Sequence, residues 1–369
     1  MNGNIYQQLG LKRVINACGK MTILGVSAVD PQVMQATAQA AGAFVEIDKL
    51  TDRAGELVSA HTGAEDSYIT SCASAGIAIA VAAAITRGEP EKVAQMPDSS
   101  QWPNEIVILR GHNVDYGAPI TSAIRLGGGR IVEVGSSNLA VRWQLQRAVN
   151  ARTAALLYVK SHHCVQKGML GIDDFVQVAR QHNLPLIVDA AAEEDLRQWV
   201  ASGADMVIYS GAKAFNAPTS GFISGKRTWI TACKAQHHGI ARAMKIGKEN
   251  MVGLVYALDR YRTAAPAPDA AALRPFAEAI SALPGLCADI EQDEAGRAIW
   301  RIRVSVDANE LGLSAREVEA QLRGGDIAIY ARRYYLHEGH FSLDPRTVGE
   351  GEMSLIVARL QEITQHAAD

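Results

Sequence analysis

The chain has 369 residues, 48% of them apolar and 20% charged, with a net charge of −3 and five cysteines and a pI near 6.4. That length and apolar content allow two domains, or one large domain with an appendage, and argue against wholesale disorder. The slight acidity supplies no basic field for nucleic acid, which weighs against a tRNA substrate.

Cys18, Cys72, Cys164, Cys233 and Cys287 are widely spaced, odd in number and contain no Cys-x-x-Cys. They predict a reduced, cytoplasmic protein with neither a disulfide framework nor a structural zinc site. The N-terminal Met1-Asn-Gly-Asn-Ile-Tyr is polar and has no signal-peptide pattern. The longest apolar run, Ala73 to Ile85, contains Ser74 and Gly76. It is too short to span a bilayer, and no membrane association is expected.

In chain order, residues 1–30 read as an N-terminal arm, with Asn16, Gly19, Lys20 and Thr22 among small residues. Asp30-Pro31 opens a helix, since Asp caps well and Pro is tolerated at the first helical position. A second helix is expected from Thr51 to Ala60, ending before His61. Tyr68 to Thr70 is a short strand, and Ser71-Cys72-Ala73-Ser74-Ala75-Gly76 leads from it into a buried helix. Small residues at such a turn let backbone N–H groups approach a phosphate at the positive end of the helix. Residues 87–104 carry three prolines and read as a loop.

Ile106 to Leu109 is a strand that runs into Arg110-Gly-His112-Asn113. Gly127-Gly-Gly129 turns into the strand Ile131–Val134; without a glycine-spaced helix after it, this is not a dinucleotide fingerprint. A helix at Leu139–Val149 and a strand at Ala154–Val159 follow. Adjacent histidines in Lys160-Ser-His162-His163-Cys164 point apart on an extended chain and no third ligand is evident, so no metal site is assigned. Ile172 to His182 is helical. Leu186-Ile-Val-Asp189 and Met206-Val-Ile-Tyr209 are buried strands, and the acidic Glu193-Glu194-Asp195 between them reads as a helix start. Strands near 68, 106, 131, 156, 186 and 206 alternate with helices, as in a mostly parallel α/β sheet with ligands at the carboxyl ends of its strands.

Trp229 to Tyr261 is mostly helical, and its cations, among them Lys234, Arg242, Lys245 and Lys248, read chiefly as a solvated face. Thr263 to Asp269 is a linker, which sets a large domain at 31–262 and a smaller α+β domain at 263–369. The smaller domain is expected to run strand–helix–strand–helix after an opening helix at 270–282. Its strands fall at Ala298–Val306 and Ile327–Leu336, and its second helix is opened by the Ser314–Glu317 capping box.

Two strand ends carry the chemistry. Asp189 closes one apolar strand; Ser210-Gly-Ala-Lys213 closes the next. A lysine held at a strand end can be desolvated into a nucleophile or base. A strand-end acid followed by a strand-end lysine is what pyridoxal 5'-phosphate chemistry requires: a Schiff-base lysine, and a carboxylate that keeps the pyridine nitrogen protonated.

These segments resemble the fold-type-I pyridoxal-phosphate enzymes of the selenocysteine-synthase-like group, and within it the D-glucosaminate-6-phosphate ammonia-lyase family. Also similar are Arg13-Val-Ile-Asn16-Ala-Cys-Gly19-Lys20-Met-Thr22-Ile-Leu-Gly25, Leu50-Thr-Asp-Arg53-Ala-Gly-Glu56 and His61-Thr-Gly-Ala-Glu65. The likeness spans roughly residues 10 to 260. It implies a fold-type-I architecture and α,β-elimination from a 2-amino-3-hydroxy sugar acid phosphate to give a 2-keto acid and ammonia. Lys213 and Asp189 become the catalytic pair. The 71–74 turn (Ser71, Cys72, Ala73, Ser74) and Ser210 become cofactor contacts, although Ser71 and Cys72 stand where selenocysteine synthases have asparagines. His112 becomes the ring-stacking residue. For the anionic substrate the candidates are Thr22, Arg53, Arg333 and Arg346, guanidinium being a bidentate partner for carboxylate, with Lys245 and Lys248 as further phosphate candidates. A homodimer or larger homo-oligomer is expected.

The alternatives are a seryl-tRNA selenium transferase, another pyridoxal-phosphate β-eliminating lyase, or a cofactor-binding regulator without catalysis. Retention of both Asp189 and Lys213 argues against the regulator. A Ser-x-x-Lys acyl-transfer reading of Ser210–Lys213 lacks its Ser-Asp-Asn and Lys-Thr-Gly partners.

Overall fold

The computed structural model describes residues 5–261, 268–294 and 296–366. Residues 263–267 of the expected linker lie outside them. The strands among the described residues are β1 (Arg13–Ala17), β2 (Asp66–Thr70), β3 (Glu105–Leu109), β4 (Arg130–Val134), β5 (Thr153–Val159), β6 (Leu186–Asp189), β7 (Met206–Ser210), β8 (Gly221–Gly225), β9 (Leu286–Gln292), β10 (Trp300–Val306), β11 (Ile327–Ala331) and β12 (His340–Leu343). The chain forms two compact units, one of residues 29–264 and one of residues 1–28 with 265–369.

The larger unit is built on a seven-stranded sheet in the order β2-β8-β7-β6-β5-β3-β4. The pairs β4–β3, β3–β5, β5–β6 and β6–β7 are parallel, while β8 runs antiparallel to both neighbours. The sheet is therefore mostly parallel. Strands buried on both faces read as continuous apolar runs, and their alternation splits them between two cores. Val107, Leu156, Val188 and Val207 face a layer that includes the Ile172–His182 and Lys248–Tyr261 helices. Ile106, Leu157, Ile187 and Ile208 face the other, centred on the Ala73–Thr86 helix. That helix is buried on every side from Ala75 to Thr86. Its alanines and Gly76 allow the close approach: a Cβ at Gly76 would lie 2.9 Å from the Ile208 methyl.

Several boundaries differ from the sequence reading. The second helix runs Ile47–Thr62 and includes His61. The 87–104 loop contains a helix, Pro90–Gln95, because Pro90 opens it at the first helical position. The 139–149 helix is shorter, Arg142–Ala148. β8 was not expected: its Phe-Ile-Ser lies between two glycines and shows no usable period.

In the smaller unit, β12-β10-β9 form an antiparallel sheet and β1 pairs in parallel with β11. Residues 1–28 are thus part of this unit, where the sequence reading set 1–30 apart as an arm. The expected strand–helix–strand–helix order omitted β9, an edge strand with alternating polar residues. β11 stops at Ala331, and a short 3-10 turn at Leu336–Glu338 replaces the rest of the strand expected there. Ile15, Ile302, Val304, Phe341 and Ile356 fill the core.

A charged network crosses this core. The buried Arg301 donates to Asp293 at 2.7 Å and to Asp344 at 3.0 Å. Arg297 completes Asp293, and Arg346 completes Asp344 through two bonds at 3.0 and 2.8 Å. Burial alone would raise both carboxyls. The guanidinium bonds and charges outweigh it and hold them well below the usual carboxylate range. Gly19, at φ +84, passes so close that a Cβ would lie 2.8 Å from an Asp344 oxygen. Among the described residues no helix is long and apolar enough to cross a membrane, and all five cysteines are free.

Removing Arg301 leaves two buried carboxylates short of a partner. Arg301→Leu is expected to destabilise the protein by about 3–5 kcal/mol, read as a lowered urea midpoint. An unchanged midpoint would show that the network adds nothing.

Candidate active site

β6 and β7 lie side by side in parallel, with Asp189 opposite Ile208. They end together: Ala190 N–H donates to the Ile208 carbonyl at 2.9 Å, and Ser210 N–H to the Ala191 carbonyl at 3.3 Å. The chain then enters a closed loop, 211–220. Gly211 N–H bonds the Ser220 carbonyl at 2.9 Å and Ala217 N–H the Gly211 carbonyl at 3.0 Å. Gly211 has no room for a side chain, since a Cβ would lie 2.7 Å from Leu254. Lys213 sits half-buried in this loop.

Asp189 is 5% exposed, and its Oδ1 accepts a bond from Ala191 N–H at 3.0 Å. Burial pushes its carboxyl up. The Ala191 bond and the positive charge of Lys213 oppose that rise. The structure therefore brings the two sequence-predicted catalytic residues into mutual electrostatic range.

The phosphate-type turn lies beside them. Thr70, Gly221 and Ser210 are aligned across β2, β8 and β7. A Cβ at Gly221 would come within 2.6 Å of the Cys72 carbonyl carbon and 2.7 Å of Ala73 N. Only glycine lets the strand pass there. Cys72 caps the Ala73–Thr86 helix, its sulfur accepting from Ala75 N–H at 3.4 Å. The first N–H groups of a helix have no internal partner, so Ala73 and Ser74 offer donors at the positive end of a long dipole.

Tyr116 was missed by the sequence reading. Its hydroxyl lies 3.3 Å from the Ser74 hydroxyl. Burial raises its pKa; the Ser74 bond opposes this, and the negative charge of Asp189 adds to it. Tyr116 thus touches the helix-start turn and feels Asp189. Its one sequence signal is position, a few residues past the end of β3.

His112 is buried, and its Nδ1 accepts from Val159 N–H at 3.3 Å. Its ring packs edge-on against Tyr158 at 4.8 Å. Burial first, and the charge of Lys160 second, lower its pKa to about 4. Val159 is paired with Asp189, and Lys160 N–H bonds the Asp189 carbonyl at 2.9 Å. This puts His112 and Lys160 at the same sheet edge as Asp189.

The substrate candidates are divided between the two units. Arg53 is exposed on the Ile47–Thr62 helix and bonded to Glu56 at 2.7 Å. Thr22, Arg333 and Arg346 belong to the smaller unit. Thr22 is exposed, Arg333 is exposed beside Glu319 at 3.5 Å, and Arg346 is bound to Asp344. Their neighbour Arg332 differs. It donates to the Cys18 carbonyl at 3.5 Å and lies 5.1 Å from the Tyr334 ring, and it has no carboxylate at ion-pair distance among the described residues. Burial pushes the Cys18 thiol up to about 11, so it is no thiolate nucleophile.

The donor set fits a pyridoxal phosphate: a buried carboxylate for a protonated ring nitrogen, an amine within its field, and a helix start with small residues for a phosphate dianion. The chain has the architecture of a fold-type-I pyridoxal-phosphate enzyme. The structure of Thermus thermophilus aspartate aminotransferase aligns with a TM-score of 0.52 at 15% identity, covering 98% of this chain and 100% of the other, a likeness of fold alone. The sequence model of the L-seryl-tRNA selenium transferase (SelA) family matches residues 14–283, and the chain belongs to that family. It is 79% identical, over 100% of both chains, to the D-glucosaminate-6-phosphate ammonia lyase of Salmonella typhimurium. A solved D-glucosaminate-6-phosphate ammonia-lyase structure superposes with a TM-score of 0.95, at 79% identity and full coverage of both chains. The chain is also 43% identical to a 5'-C-glycyluridine monooxygenase-decarboxylase of Streptomyces, over 97% of this chain and 91% of the other. Its cofactor is pyridoxal 5'-phosphate.

His112 ties stability to pH. Its folded pKa, about 4, lies below the ordinary 6.5. Its contribution is therefore complete above pH 6.5 and is lost as pH falls from 6.5 towards 4. Over that window the loss is expected to reach about 2–3 kcal/mol. His112→Gln should flatten that part of the urea-midpoint profile; an identical slope in the variant would contradict the assignment.

Proposed function

We propose that this chain is a pyridoxal-phosphate-dependent D-glucosaminate-6-phosphate ammonia-lyase. It converts D-glucosaminate 6-phosphate to 2-keto-3-deoxygluconate 6-phosphate and ammonia. The water lost from Cβ is regained when the nitrogen is hydrolysed off, so the net change is release of ammonia. The observation that carries the reading is the pairing of buried Asp189 with Lys213 at adjoining strand ends, in a chain 79% identical over its full length to an enzyme of that name.

When bound, the cofactor supplies the electron sink for a negative charge at Cα. Lys213 would hold it covalently, and its amine, when free, is the base placed to take the Cα proton. The buried Asp189 carboxylate would hold the ring nitrogen's proton in place. The N–H groups and hydroxyls of the 71–74 turn, with Ser210, hold the phosphate. His112, kept neutral by burial, offers a ring face without adding charge. A reduced cytoplasmic setting agrees with the five free cysteines. Exposed Phe44, Val45 and Ile47 support self-association, because a soluble monomer seldom leaves such a group uncovered.

The test is a turnover assay on purified protein with D-glucosaminate 6-phosphate, scoring ammonia, 2-keto acid and oxygen uptake. Equal yields of ammonia and keto acid without oxygen uptake are expected. Lys213→Ala and Asp189→Asn should each lose about 10²–10⁴-fold in kcat. Oxygen-dependent decarboxylation, as the name of the 43% identical relative would suggest, or selenium transfer on seryl-tRNA in place of lyase turnover, would overturn the reading.

A further inference from the structure

Beside the 71–74 turn stands a hydroxyl with no assigned role. Tyr116 sits on the stretch between β3 and the Ile120–Leu126 helix, and that stretch is closely built. Ile120 N–H bonds the Val114 carbonyl at 3.0 Å, and Tyr116 N–H the Ala118 carbonyl at 3.3 Å. Gly117, at φ +105, allows the reversal, and its N–H is held by Asp115 Oδ1 at 2.8 Å. Tyr116, Val114 and Ala73 are all half-buried against the core around the Ala73–Thr86 helix. A ring fixed in this way carries its hydroxyl to a defined place.

That place is the helix start. The Tyr116 hydroxyl lies 3.3 Å from the Ser74 hydroxyl, a distance across which either can donate. Several polar groups of the turn are already committed. Cys72 Sγ takes Ala75 N–H at 3.4 Å. The Cys72 carbonyl accepts Thr70 Oγ1 at 2.9 Å and Gly76 N–H at 3.0 Å. The N–H groups of Ala73 and Ser74 precede the first carbonyl that could receive them within the helix. The Ser74 hydroxyl stands with them at the positive end of the dipole.

The direction of the Tyr116–Ser74 bond follows from chemistry. A serine hydroxyl has one proton and two lone pairs. Beside an anion its proton must go to the anion, which leaves its oxygen to accept. The phenol is the more acidic of the two hydroxyls and so the better donor, and burial keeps it protonated by raising its pKa. The chain then runs from Tyr116 O–H to Ser74 Oγ, and from Ser74 O–H to the anion. Each bond in such a chain polarises the next, and the last is charge-assisted. The opposite direction would aim the Ser74 lone pairs at the anion.

We propose that Tyr116 is a positioning residue for the cofactor: by donating to Ser74 it turns the serine proton towards the cofactor phosphate. This rests on the placing of that phosphate at the 71–74 turn in the lyase reading above, and it requires no particular substrate. It also gives a reason for tyrosine, and not phenylalanine, on a half-buried ring.

The experiment compares full-length wild type, Tyr116→Phe, Ser74→Ala and the double variant. Each is loaded with pyridoxal 5'-phosphate, or with pyridoxal, which has the same ring and aldehyde but no phosphate. Each is then brought to equilibrium at graded concentrations, and the Kd is read from visible absorbance. Phosphorus NMR of the loaded proteins reports on the phosphate itself. Phenylalanine keeps the ring, so the packing is retained. Tyr116→Phe is expected to raise the pyridoxal 5'-phosphate Kd roughly 3–10-fold, and Ser74→Ala roughly 10–100-fold, with pyridoxal affinity unchanged in both. In the double variant the Tyr116 change should add less than about twofold to Ser74→Ala alone, because no serine proton is left to orient. The phosphorus resonance of Tyr116→Phe should move from its wild-type position. Fully additive effects, an equal loss of affinity for both probes, or an unmoved affinity and resonance in Tyr116→Phe would each overturn the proposal. A wild type that holds pyridoxal as tightly as pyridoxal 5'-phosphate would overturn the placing of the phosphate, and the proposal with it. Turnover is scored in parallel: the expected coupling without ammonia release from D-glucosaminate 6-phosphate would sink the lyase reading and leave Tyr116 in its role.

Discussion

A carboxylate in the dry interior must find positive charge or hydrogen bonds, because its isolated ionised form is far costlier there than in water. Asp189 is such a group: 5% exposed, raised by burial, with one backbone N–H bonded to Oδ1 at 3.0 Å. The positive charge of Lys213 pulls its pKa back down. The arrangement around these two residues serves that demand. A protonated pyridine nitrogen would answer it, and the lysine loop is closed by bonds between Gly211 and Ser220 and between Ala217 and Gly211.

The sheet supplies the rigidity. β6 and β7 are buried on both faces, and their register fixes where each strand ends. β8 then turns back antiparallel beside β7 and β2. Its Gly221 allows the start of the Ala73–Thr86 helix to sit against the lysine loop. A larger residue there would separate the phosphate-type turn from the amine. The antiparallel strand is thus the device that joins the two halves of the proposed cofactor site.

Much of this was legible in sequence, for physical reasons. Asp189 and Lys213 stand at the ends of apolar runs whose β-branched residues have few other readings, so their chemistry and their place in the fold came together. Helix starts were readable from Asp30-Pro31 and Ser314–Glu317, both of which make the expected caps. Tyr116 was not readable, since a turn has no period and the residue matters only through Ser74 and Asp189. Nor could the sequence sort cations by commitment. Arg53, Arg346 and Lys248 each look like anion ligands until Glu56, Asp344 and the carbonyls of Ala40 and Ala41 are seen to occupy them. Arg332 differs from them in three-dimensional surroundings alone. Strands β1 and β12 were not read as strands, and β8 and β9 were missed because glycine neighbours hid one and an exposed, polar edge hid the other.

The central claim is that Lys213 holds the cofactor under the influence of Asp189. Its most direct test is the visible absorption spectrum of the purified protein saturated with pyridoxal 5'-phosphate, wild type beside Lys213→Ala, before and after removal of unbound cofactor. The account predicts a visible band that survives in wild type and is absent from the variant. A band of equal strength in both proteins, or none in wild type even with cofactor in excess, would contradict it.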